Sequence, residues 1–207
     1  MKKYSFTKNT RTLRYGKTTL YQIIAEINIP TYGVHIGDFG GWIEKEENLS
    51  HEGNAWIAGD ASVYDNAQVT GDALVCGRAC IRDESRVYGN AQIYDDAMLT
   101  DCAYVAGNAD ISESAWIGNS ARVDENATIS GAVHVSGNAH IHGHARLYDS
   151  TDISGNVEIY GKARIYGDSM IRGSIHISEN LSLYNVAIFG IEHSTPPYKT
   201  AIEVNVN

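Results

Sequence analysis

The sequence predicts an all-β fold: a hexapeptide solenoid in which one chain winds as a parallel β-helix of triangular 18-residue coils. Three observations carry this. From Ala55 to Ala187 the 207-residue chain repeats every six residues, 23 times, without an insertion. In each repeat one slot takes a small residue, Ala in 16 of 23, and the slot two later is apolar in all 23, from Ile57 and Val63 to Leu183 and Phe189. The residue two beyond the apolar slot is usually Gly, Asp or Asn, as at Gly59, Asp65 and Gly71. A fixed period of this kind identifies a repeat architecture before any local assignment is made.

Small-x-large is a two-residue alternation, so both side chains point to one side of a short strand. Gly, Asp and Asn tolerate the positive-φ backbone that a sharp corner needs. One hexapeptide is therefore a strand plus a corner, and three close a triangle. Alanine fits near the crowded corner, and Val, Ile or Leu fills the middle. Coils stack by parallel hydrogen bonding at about 4.8 Å each, and seven to eight of them make a prism roughly 37 Å long. One coil cannot bury its own apolar side, so stability comes from its neighbours.

The open ends of a solenoid need caps. Residues 1–42 break the period and read as an N-terminal β cap and lead-in. Lys3–Thr7, Arg11–Tyr15 and Thr19–Asn28 are expected strands, with a turn at Tyr15, Gly16 and Lys17. Pro30, Gly33, Gly37, Gly40 and Gly41 mark a loop. The helix is expected over 43–189, with Leu49 already in the small-slot register. In 190–207, Gly190–Pro197 reads as a loop and Thr200–Val206 as an edge strand that caps the last coil or adds to a neighbouring chain. Val157, Ile175 and Leu181 stand in small slots and predict a wider or closing coil at that end.

The net charge is −9, but Lys2, Lys3, Lys8, Arg11, Arg14 and Lys17 all precede the first acid, Glu26. An acidic prism does not suit generic duplex nucleic acid, and the basic N-terminus reads as a solvated strand. Cys76, Cys80 and Cys102 are odd in number and lack C-x-x-C spacing, so they read as free thiols in a reducing compartment. There is no signal-peptide pattern and no apolar run of membrane-spanning length. The expectation is a cytoplasmic protein without membrane contact.

Gly37-Asp38-Phe39-Gly40-Gly41-Trp42-Ile43-Glu44, then Glu47-Asn48-Leu49-Ser50 and Glu52-Gly53-Asn54-Ala55-Trp56, resemble the entry segment of the hexapeptide-repeat proteins of tailed phages and prophages. That resemblance implies a left-handed β-helix, a phage-encoded protein acting in the host bacterial cytoplasm, and a homo-oligomer, a trimer by preference. It implies no single activity.

Sorting by 18 assigns the outward side chains to three faces. On the first, Met98, Trp116, Met170 and Ile188 fall in one column and read as an apolar interface for self-association. On the second, Tyr148, Tyr166 and Tyr184 form a ladder, read as a sheet-stabilising row with a stacking platform as the alternative. On the third, Arg86, Tyr104, Arg122 and His140 succeed one another beside Tyr88, Asp124 and His142. Arginines with aromatics suit a phosphate and a stacked base, so these seven residues are the expected ligand site. His140, His142 and His144 invite a metal reading, but solvated histidines are the default, and no metal or cofactor is assigned.

Three functions compete. Hexapeptide acyltransferases usually interrupt their repeats with a catalytic loop, and this chain has none. A structural or virion-associated module is the second. The expected function is a non-catalytic oligomeric binder, a counter-defence factor that sequesters a small nucleotide-like anion or occludes a host defence protein.

Overall fold

The computed structural model describes residues 2–13, 18–178, 180–190 and 205–206. It is a parallel β-solenoid of about eight turns. Two-residue strands recur from Trp56–Ile57 to Arg146–Leu147. Each pairs with the strand one coil on, Trp56 with Leu74, Ser62 with Cys80 and Gln68 with Arg86. The small and large slots form the core: Ala61, Val63, Ala67 and Val69 are completely buried. The residue between them faces outward, which is what makes the three columns real surfaces.

The corners explain why acids alternate with glycine. Asp65, Asp83, Asp101 and Asn119 hold φ between 54° and 61°, a region disfavoured for residues with a Cβ. Their side chains offset this by capping the next coil. Asp83 Oδ2 accepts from the Asp101 amide at 3.1 Å, and Asp101 Oδ2 from the Asn119 amide at 2.8 Å. Three glycine corners are wider, Gly131, Gly155 and Gly173 at φ 96–99°. Each precedes a branched residue in the small slot, Val133, Val157 and Ile175. At Gly155 and Gly173 the strands Asp152–Ile159 and Met170–Ile177 run straight through the corner, paired along their whole length.

Register slips at both ends. Ile43 pairs with Val63 and Leu49 bridges to Val69, so Leu49 occupies the large slot of a first coil two residues longer than the rest. The expected small-slot register of Leu49 is corrected: the surplus lies in 50–54, where His51 stacks on Tyr4 at 4.4 Å between ring centroids. At the far end Ala187 pairs with Met170 and Ile188 with Ile171, a step of 17 residues. Asn185 turns the corner and Val186 enters the core directly after it. Ile188 is therefore 2 % exposed and Phe189 52 %. The placement of Ile188 in the outward column is corrected, and so is the inward placement of Phe189.

The cap is an antiparallel sheet of β1 (Tyr4–Thr12), β2 (Thr19–Ala25) and β3 (Phe39–Ile43). β1 joins most of the first expected strand to the start of the second, with an irregularity between Phe6 and Thr10. β3 passes into the first coil. The basic N-terminus is tied down: Lys2 Nζ lies 2.5 Å from Glu46 Oε1, Lys3 is buried, and Arg11 lies over the Trp42 ring at 4.9 Å. Arg14 and the expected turn at 15–17 lie outside the described residues, as does most of 190–207. Asn205–Val206 pairs antiparallel with Val186–Ala187. Cys76, Cys80 and Cys102 are free thiols, and among the described residues no helix is long and apolar enough to cross a membrane.

Candidate functional site

The third face carries its residues in the expected order. Arg86 pairs with Tyr104, Tyr104 with Arg122, Arg122 with His140, and His140 with Glu158. Side chains split them into two groups. Arg86, Tyr88 and Tyr104 line a groove of about 250 Å³ with Gln68 and Thr70. Arg122, Asp124, His140 and His142 instead form a closed network one to two coils up. Arg122 Nε donates to Asp124 Oδ2 at 2.5 Å and its guanidinium lies 4.9 Å over Tyr104. His140 Nε2 is 3.1 Å from Asp124 Oδ1, and His142 Nε2 is 3.1 Å from Glu158 Oε1. His176 Nδ1 completes the row, 2.6 Å from Glu158 Oε2. The hydrogen bond from His176, above all, holds the Glu158 carboxyl below the usual range, against the opposing effect of its partial burial.

That network pairs Arg122 with Asp124 and sets Glu158 between two histidines. Asp124, at 7 % exposure, sits where an incoming phosphate would meet a carboxylate. Of the two arginines expected to anchor an anion, only Arg86 is outside an ion pair among the described residues.

The second face holds a cluster of basic side chains that the columns chosen from sequence missed. Arg146 and Arg164 are adjacent in register on neighbouring strands. Like charges directly opposite destabilise a sheet unless something balances them. His144 and Lys162 occupy the corner positions just before them, and these four side chains alone line a groove of about 340 Å³. None of the four forms an ion pair among the described residues. Arg164 also lines a second groove of about 540 Å³, with Tyr148, Tyr166, Ser130, Ser182 and two acids, Glu113 and Asp149. Tyr166 and Tyr184 are 5.0 Å apart between ring centroids. Arg and Tyr stand two residues apart on each coil, so both point outward, about 6.6 Å apart along the strand. The signal was available in sequence: the column between the slots of this face reads Asp110, Thr128, Arg146, Arg164, Ser182.

On the first face, Met98 is exposed and pairs with Trp116. Trp116 is half-buried, 5.3 Å from His134 between ring centroids and folded over the bare backbone of Gly118. His134 and Asp152 separate this pair from Met170. The apolar column is thus two patches rather than one stripe.

No protein-family model matches the sequence, and no curated protein matches it.

Proposed function

We propose that this chain is a non-catalytic binding protein for a small anionic ligand with an aromatic ring, a nucleotide-like molecule. The observation that carries this is the groove of Arg146, Lys162, Arg164 and His144, joined through Arg164 to the tyrosine row. Guanidinium forks match phosphate oxygens, and tyrosine faces take a stacked base whatever its identity. On a chain of net charge −9, Arg146, Lys162 and Arg164 gather in one groove with no ion pair among the described residues. The rigid coils preorganise both halves, which lowers the ordering cost of binding. The coils run from 55 to 178 without an inserted loop, so within them no excursion of the kind an acyltransferase uses stands over the groove. In the phage setting that the resemblance implies, sequestration of such a ligand would serve counter-defence. The Met98–Trp116 patch supports self-association.

Calorimetric titration with ADP, pyrophosphate and adenosine tests this. ADP is expected to bind more tightly than either fragment, and Arg164→Ala is expected to weaken ADP at least about tenfold, the loss of one charge-assisted contact. Equal ADP affinity in the variant would contradict the reading.

A further inference from the structure

We propose that Asp124, His140 and His142 form a binding site for a divalent transition-metal ion of the zinc type. It stands apart from the anion groove, on a different face, and does not rest on that assignment.

His140 and His142 flank the buried Ile141, so both rings project from one strand to the same side. Their rings stack with centroids 4.2 Å apart. Asp124 occupies the position one coil below His142 and aims at the same point. One ligand atom from each of the three lies within 4.8 Å of the other two, so small rotations bring all three onto one ion at ordinary bond lengths of about 2.0–2.2 Å.

The surroundings hold each donor in place. Arg122 Nε occupies Asp124 Oδ2, and Oδ1 faces His140. A carboxylate has lone pairs on both oxygens, so the Arg122 bond fixes Asp124 without consuming its ligand atom. Glu158 Oε1 hydrogen bonds to His142 Nε2 and Glu158 Oε2 to His176. A carboxylate behind a ligating histidine is the usual second layer of a metal site: it orients the ring and raises its basicity. Tyr160 stacks on the outer side of His142 at 5.2 Å, nearly parallel. Two imidazoles and one carboxylate favour zinc and its neighbours over magnesium or calcium, which prefer all-oxygen shells. Three protein ligands leave a coordination position for water or an added anion.

The test is calorimetric titration of chelator-treated full-length protein with Zn²⁺, and with Co²⁺ read by visible absorption. One Zn²⁺ per chain is expected, with no competition from excess Mg²⁺. His140→Ala and His142→Ala should abolish binding. Glu158→Gln should weaken it by about tenfold. His134→Ala and Arg164→Ala should leave it intact. Asp124→Asn, which keeps the shape of the side chain, should also abolish binding and covers the case in which a histidine variant fails to fold. No Zn²⁺ binding, unchanged binding in both histidine variants, or a Co²⁺ spectrum with thiolate charge-transfer bands would each overturn the proposal.

Discussion

At the scale of single residues, the inward slots carry stability and their exceptions are informative. Ser85 takes an alanine slot, is completely buried, and its hydroxyl has no partner among the described residues. Thr151 and Ser169, in equivalent slots, return their hydroxyls to Tyr148 O and Tyr166 O. Ser85→Ala should therefore raise stability by about 1 kcal/mol in urea unfolding, whereas Ser169→Ala should lower it. Outside the slots, Lys3 is a charged residue buried in the cap. Burial lowers its pKa to about 8, against a smaller opposing effect of Asp72. Between about 8 and 10.5 the unfolded chain keeps a proton that the folded one has lost. Rising pH therefore favours the folded state across that window. Unfolding curves from pH 7.5 to 9.5 should show wild type gaining on Lys3→Met; parallel curves would refute the assignment. Slot occupancy was legible in sequence because the period fixes it. The pairing of Asp124 with both Arg122 and His140 was not, since an outward column gives adjacency and says nothing of which neighbour a side chain turns to.

At the scale of the repeat, the corner decides which residues are allowed. A Cβ on Gly155 would lie 2.7 Å from the Gly173 carbonyl oxygen, on top of the strain of its φ of 96°. Gly155→Ala should cost about 2 kcal/mol or more. Asp149→Gly should cost less than about 1 kcal/mol, because relief at its positive φ offsets the lost bond to the Gly167 amide. Equal losses would mean that the corners are not what limits the repeat. The sequence marked most corners by Gly, Asp or Asn, with Glu113 and Glu125 as exceptions at the same positive φ, yet the slips at Leu49 and Ile188 escaped it. Both places keep apolar residues at six-residue spacing, so the pattern continues while the backbone gains or loses residues at the corner. Trp56 and Phe189 show the limit of such patterns: at the ends of a solenoid, packing against the cap or the last coil overrides the period. Trp56 lies between slots yet is 1 % exposed, under the cap.

At the scale of the whole molecule, the solenoid is a sum of coils, each held by its neighbours. Deleting residues 91–108 removes one coil and rejoins Asn90 to Ala109 in register. The shortened protein should keep a cooperative melt and its binding to both ADP and Zn²⁺, while deletion of 91–93, which turns polar residues inward, should abolish folding. Self-association through the first face predicts a trimer by light scattering, reduced to monomer by Met98→Asp. The faces explain how one regular body hosts separate chemistries. The second face gathers cations beside tyrosines, and the third pairs its own charges around two histidines. The central claim is that the second face holds a small anion without altering it. Titration of ADP into wild type and into the Arg146→Ala/Arg164→Ala double variant, followed by mass analysis of the ligand after overnight incubation, tests it most directly. Saturable binding to wild type, its loss in the double variant and recovery of intact ADP are expected. Undiminished binding in the double variant, or conversion of the ligand, would contradict it.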